Sequence, residues 1–284
     1  MKFIESKNID GSPVNLYYED WGSGDPIVFI HGWPLDHQMW EHQMRVLPEM
    51  GLRCIAYDRR GFGKSDKPWD GYDYDTFADD LKAVLDQLDL QNVTLVGFSM
   101  GGGEVVRYFS RHGGNRVSKA VLLSSIAPYT LKTTDNPDGV PLEVFHEMIG
   151  SLQEDRAAFL TSFSKMFYGV NVISHQVSQA TLDWNLMVAM QASPKATIEC
   201  VHAFGETDFR MEMRMINVPT LVIHGNSDKI VPIEATGDSA ARLIPDAKYI
   251  VYEDSPHGLF VTDKEDLNAD LLEFIGAKTE SMAS

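Results

Sequence analysis

Short apolar runs closed by glycine, aspartate or serine recur along this chain, with helically spaced stretches between them. PIVFIHG (26–32), RCIAYD (53–58), VTLVGFS (93–99) and VSKAVLLSS (117–125) are such runs. Their apolar residues largely adjoin one another instead of alternating with polar ones, so both faces must be covered. That is the pattern of parallel strands lying under helices. Between the runs, His37 to Glu49 sets Met39, Trp40, Met44 and Leu47 at helical spacing. Tyr74 to Leu90 repeats Phe77, Leu81, Val84, Leu85 and Leu88 three and four apart. Asp75 is the expected N-cap of that helix, with Asp79 and Asp80 near the first turn and aspartates filling the solvent face. Gly101 to His112 reads as a third helix. Ahead of all these, Val14 to Trp21 reads as a strand preceded by a hairpin turn at Asn8–Ser12.

The rhythm stops between about Ala127 and Met215, where the sequence is helical and aromatic-rich with no strand-like run. It resumes with PTLVIHG (219–225), a helix around Glu234 to Leu243, KYIVYED (248–254) and a helix from Lys264 to Phe274. The expected architecture is α/β: a doubly wound, mostly parallel sheet. Residues 1–126 and 211–284 would form its core, with 127–210 inserted as a helical cap. The closing KTESMAS reads as a frayed tail. An apolar fraction of 44% suffices for one such core.

Bulk charge narrows the partners. At a formal −17 the chain is ill suited to nucleic acid or an anionic membrane surface. No apolar run approaches the roughly 20 residues of a membrane helix. The N-terminal stretch carries charges where a signal peptide needs apolar residues. Two cysteines, Cys54 and Cys200, make no disulfide framework, which suits a reducing, cytoplasmic setting. A small molecule is the expected partner.

Gly97-Phe98-Ser99-Met100-Gly101 matches G-x-S-x-G, ending an expected strand and opening an expected helix, as that motif requires. The turn is so tight that side chains two before and two after the serine would collide. A serine hydroxyl is a poor nucleophile alone; it needs a base, and the base needs an orienting group. In this arrangement the order along the chain is serine, acid, histidine. Asp228 follows the strand PTLVIHG, and His257 follows KYIVYED, so both fall at carboxyl ends of strands. Asp254, three residues before His257, is the competing acid and also reads as a loop cap. His31 and His224, each at a strand end before glycine, read as structural, and Arg59-Arg60 as scaffold. No histidine pair forms H-E-x-x-H, so neither metal nor cofactor is expected. Acyl transfer also needs donors for a developing oxyanion. The backbone N–H groups of Met100 and Trp33 are the candidates, and the Trp33 indole would either line an acyl pocket or simply pack.

HGWP, YDRRGFGKSDKP, YDTFADDL, VGFSMGGGEVVRY, KATIECVHAFGETDFR and PTLVIHGNSDKIVP together resemble the bacterial arylesterase, perhydrolase and cofactor-free (non-haem) chloroperoxidase group of the α/β-hydrolase superfamily. The likeness runs through the whole chain. It implies an α/β-hydrolase fold, a Ser99–His257–Asp228 ester hydrolase without metal or haem, and a homo-oligomer, often a trimer or multiple of trimers. It implies water or hydrogen peroxide as acyl acceptor, with lactones and lactams as further substrates in some relatives. It also assigns Phe163 and Phe167 to the acyl site; Phe98 and Ile230, each beside a proposed catalytic residue, are added to them. Proline after the oxyanion tryptophan, here Pro34, goes with members described as perhydrolases. Lacking an N–H and restricting Trp33 to extended conformations, Pro34 would turn the Trp33 carbonyl toward the acyl pocket, or merely end a strand. Serine at the elbow sets the chain apart from haloalkane dehalogenases and most epoxide hydrolases of the fold, which carry aspartate there. A hydrolase-like binding protein with little turnover is the alternative from a different class.

Overall fold

A computed structural model describes residues 2–171 and 176–277. The KTESMAS tail lies outside the described residues, as do 172–175 of the expected cap. Eight strands form one sheet in the order β1-β2-β4-β3-β5-β6-β7-β8. They are β1 Phe3–Lys7, β2 Pro13–Gly22, β3 Asp25–Ile30, β4 Leu52–Tyr57, β5 Val93–Phe98, β6 Val117–Leu123, β7 Thr220–Gly225 and β8 Lys248–Tyr252. β2 runs antiparallel to both β1 and β4, and the remaining pairings are parallel. Burial follows the sequence pattern. Every residue of β5 and β7 is buried, whereas β1 alternates between exposed and buried positions.

The helices are α1 Glu41–Val46, α2 Tyr74–Gln87, α3 Met100–His112, α4 Leu142–Phe167, α5 Gln179–Met190, α6 Pro194–Glu206, α7 Gly237–Leu243, α8 Leu259–Thr262 and α9 Lys264–Ile275. α4, α5 and α6 fall between β6 and β7, where the strand rhythm stops. α4 is broken at Asp155, whose backbone leaves the helical region (φ −151°, ψ 87°) and whose carboxylate accepts the Ala158 N–H at 2.9 Å. The second half of α4 therefore has its own N-cap.

Two expectations about α2 are corrected. Its N-cap is Asp73, which accepts the Thr76 N–H at 2.9 Å, and Asp75 instead pairs with Arg107. The helix starts earlier because Tyr74 is drawn into the core, where its hydroxyl donates to the Met100 carbonyl at 3.1 Å. Nor does Asp80 face solvent. It takes two hydrogen bonds from Arg60, both 2.7 Å, with each side chain all but excluded from water. The neighbouring Arg59 donates to Glu104 at 2.8 Å, equally buried. Periodicity marks an aspartate as polar but cannot reveal a partner 20 residues away. Both cysteines, Cys54 on β4 and Cys200 on α6, are buried and free, and burial pushes each thiol up to about 12. Among the described residues no helix is long and apolar enough to cross a membrane.

Removing one member of a buried ion pair strands the other charge. Asp80→Ala should therefore lower unfolding free energy in urea by about 3–5 kcal/mol. A loss under about 1 kcal/mol, the scale of solvated pairs, would mean the Arg60 guanidinium finds water.

Candidate active site

Ser99 stands between the last residue of β5 and the first of α3, with φ +53° and ψ −118°. An L-residue is strained there, and the surroundings must hold it. A Cβ at Gly97 would lie 2.5 Å from the Gly101 carbonyl oxygen, and one at Gly101 would lie 2.5 Å from that of Ile30. Only hydrogen fits at either place. The Ser99 N–H donates to the Leu123 carbonyl at 2.9 Å, and the Ser99 carbonyl accepts from Gly102 at 3.0 Å and Ile126 at 3.2 Å. The strained turn is thereby tied to the end of β6.

The turn after β7 carries Asp228, and the loop after β8 carries His257. His257 Nδ1 lies 2.6 Å from Asp228 Oδ2, and its Nε2 lies 2.9 Å from Ser99 Oγ. An ionised carboxylate can only accept, so Nδ1 bears the proton and Nε2 receives the Ser99 hydroxyl. The other carboxylate oxygen, Asp228 Oδ1, accepts the backbone N–H groups of Ile230 (2.8 Å) and Val231 (2.9 Å). Burial pushes the Asp228 carboxyl upward. The charge and hydrogen bond of His257, with a further hydrogen bond from His224, outweigh burial and hold it well below the usual carboxylate range. Asp254, the competing acid, is exposed, with its N–H bonded to Asn226.

The third contributor is the loop after β3. The Arg59 N–H donates to His31 Nε2 at 3.0 Å, so the His31 proton sits on Nδ1, 2.9 Å from the Gly32 carbonyl oxygen. Burial holds His31 well below the ordinary imidazole range and keeps it neutral. The Gly32 carbonyl and the Trp33 N–H share one peptide plane, so the His31 ring orients both. Arg59 adds a bond from Nη2 to the His31 carbonyl at 2.9 Å. Neither the Trp33 nor the Met100 N–H has a protein acceptor among the described residues.

Ser99 and His257 open onto a cavity of about 180 Å³ with an overwhelmingly apolar wall. Of the pocket residues expected from sequence, Trp33, Phe163 and Ile230 line it; Phe98, Phe167 and Pro34 do not. Phe98 and Phe167 instead pack on the His257 ring, with centroids 4.8 Å and 4.9 Å away. Pro34 is buried beside the cavity wall, behind a cis Trp33–Pro34 bond. Trp33 both lines and packs: its ring meets Phe163 edge-on at 5.1 Å, and its Nε1–H donates to the Thr197 carbonyl at 3.0 Å. Sequence reasoning missed Ile126 and Thr130, which follow β6, Val144 on α4 and Phe204 on α6, because nothing in the sequence around them points to a pocket. It also missed Lys229, the one lysine or arginine in the wall among the described residues.

The chain matches the alpha/beta hydrolase fold family over residues 25–264. It belongs to that family. The non-heme chloroperoxidase CPO-A1 of Kitasatospora aureofaciens is 47% identical over 264 residues, 92% of this chain and 96% of that protein. The bifunctional esterase/perhydrolase DCH of Acinetobacter calcoaceticus is 41% identical, covering 97% and 99%. Among solved structures, the bromoperoxidase from Bacillus anthracis superposes with a TM-score of 0.92 at 45% identity, covering 97% of this chain and 100% of that one.

In this α/β hydrolase one further cluster lies near the loop after β3. Donor atoms of Asp36, His37 and Asp58 come within 4.8 Å of one another, close enough to hold an ion. Those atoms are already engaged by the protein. Asp58 Oδ1 accepts the His37 N–H (2.8 Å) and ring Nδ1–H (2.6 Å), and Oδ2 accepts the Lys64 N–H (2.8 Å). Asp36 accepts the Gln38 N–H at 2.9 Å. Burial, then the charge of Asp58, push the Asp36 carboxyl up to about 6, with His37 and the Gln38 bonds pulling the other way.

A carboxyl raised in the folded state costs stability once it ionises, so stability falls as pH climbs from about 4 through about 6. Asp36→Asn keeps the acceptor for Gln38 and removes the charge. It should stabilise the α/β hydrolase by about 1–3 kcal/mol near pH 8 and far less near pH 4. An equal gain at both, measured by thermal unfolding, would contradict a charge-borne cost.

Proposed function

We propose that this chain is a carboxylic ester hydrolase that forms an acyl-enzyme on Ser99 and passes the acyl group to water or hydrogen peroxide. The observation that carries this is the 2.9 Å and 2.6 Å chain from Ser99 through His257 to Asp228, opening onto an apolar cavity. His257 Nε2 takes the hydroxyl proton as Ser99 Oγ attacks the ester carbonyl, and Asp228 stabilises the imidazolium. The Trp33 and Met100 N–H groups receive the oxyanion. The imidazolium then returns its proton to the departing alkoxide or phenoxide. In the second half, His257 takes a proton from water or peroxide as it attacks the acyl carbonyl. Ser99 leaves with that proton, and the product is a carboxylic acid or a peracid. Peracid oxidises halide in solution, which links ester chemistry to relatives named as non-heme chloroperoxidases.

Cavity size supports small acyl groups. An apolar cavity of about 150 Å³ admits benzene, so the wall described above suits an aryl or short alkyl chain. We place the enzyme in the cytoplasm, where free cysteines stay reduced, and take the homo-oligomeric assembly implied by the resemblance.

Two measurements test the reading. Time-resolved mass spectrometry with p-nitrophenyl acetate should show an acetyl adduct on native protein and none in Ser99→Ala, which should fold yet lose at least about 10³ of turnover. Equal turnover in the variant would remove the acyl-enzyme. Pro34→Leu, which restores an N–H and frees Trp33, should lower the ratio of peracid formed to ester hydrolysed. An unchanged ratio would leave Pro34 without a part in the choice of acyl acceptor.

A further inference from the structure

His224 lies on β7, four residues before Asp228, and its side chain is fully buried. Its Nε2 is 3.1 Å from the Val231 carbonyl oxygen and 3.2 Å from Asp228 Oδ2. Both partners can only accept, so Nε2 must carry a proton and share it between them. The other ring nitrogen, Nδ1, is buried with no hydrogen-bond partner. Gly237, the first residue of α7, is backed against it so closely that a Cβ there would sit 2.8 Å from Nδ1. An imidazolium would therefore bury an N–H facing no acceptor, which folding disfavours strongly. The surroundings admit one form, the neutral Nε2–H tautomer.

We infer that His224 is a positioning residue, an Nε2–H donor that fixes the Asp228 carboxylate against His257 and draws charge from Oδ2. This role rests on the reading of Asp228 as the orienting acid. The two histidines meet the same oxygen unequally, His257 at 2.6 Å and His224 at 3.2 Å. With Oδ1 held by the Ile230 and Val231 N–H groups, both carboxylate oxygens are engaged on two sides. Among the described residues, the titratable or charged groups near the Asp228–His257 pair are His224, Ser99 and Lys229 of the cavity wall; Phe98 and Phe167 pack against the His257 ring. Without the second donor, the negative charge on Oδ2 concentrates on His257. The imidazolium is then favoured before substrate arrives, and the carboxylate is freer to turn. A merely packed histidine would produce neither effect.

Nitrogen NMR of ¹⁵N-histidine-labelled native enzyme at neutral pH should show His224 protonated at Nε2 and bare at Nδ1. An Nδ1–H tautomer, or protons on both ring nitrogens, overturns the proposal without any variant. His224→Leu should move the acid limb of kcat/KM to higher pH by about half a unit or more and lower kcat about tenfold. His224→Gln, which can place an N–H near the Nε2 position, should restore kcat to within about threefold of native and return the limb. A native limb and kcat in the leucine variant, or equal impairment in both, would overturn the role. Turnover surviving in Ser99→Ala would instead overturn the acyl-enzyme reading beneath it, leaving the NMR result intact.

Discussion

Around Ser99 the backbone comes as close to itself as atoms allow. Gly97 lies against the Gly101 carbonyl, and Gly101 against that of Ile30. These contacts join β5 to the start of α3 and to the end of β3, so the turn cannot relax without separating strands that are hydrogen-bonded along their length. The positive φ of Ser99 is therefore sustained by the sheet and not by the serine. Everything else assembles at the same edge. β3 leads to Trp33, β5 to Ser99, β7 to Asp228 and β8 to His257, all past the carboxyl ends of parallel strands.

How much of this was legible depends on whether a feature is local. The runs at 26–32, 93–99 and 219–225 announce buried parallel strands because the unbroken apolar pattern is written in consecutive residues. The elbow is legible for the same reason, since its steric logic spans five residues. The cavity wall is legible only in part, at Trp33, Phe163 and Ile230. Val144 and Phe204 meet Ile126, at the end of β6, only after α4 and α6 have packed, and Phe167 turns from the cavity to the His257 ring by the way α4 sits. Asp80 and Asp36 look like ordinary polar positions until Arg60 and Asp58, both distant in sequence, arrive beside them. In the sequence His224 looks structural, because its signal, a histidine before glycine at a strand end, is shared with His31. In the fold the two rings serve different objects, one the Gly32–Trp33 peptide and the other the Asp228 carboxylate.

Beneath the loop after β3 lies a layer of buried charge: Arg59 with Glu104, Arg60 with Asp80, and His37 with Asp58. Such pairs add little net stability compared with well-packed apolar side chains. Their value here is directional. Arg59 bonds Glu104 on α3, the backbone of His31, and through its own N–H the His31 ring. The helix that follows the proposed nucleophile and the loop that carries the proposed oxyanion donor are thus both referenced to Arg59.

The two buried cysteines take on meaning once peroxide is a co-substrate. Peroxide attacks thiolate, not thiol. With burial pushing Cys54 and Cys200 up to about 12, little thiolate exists near neutrality, and neither side chain meets solvent. Sulfur of the other kind has no such protection: Met148 and Met166 line the cavity into which a peracid would be released, and a thioether needs no deprotonation to become a sulfoxide. For a catalyst of peracid formation, the part of the molecule most open to its own product is then the wall that recognises the acyl chain, while the atoms that perform the chemistry carry no sulfur.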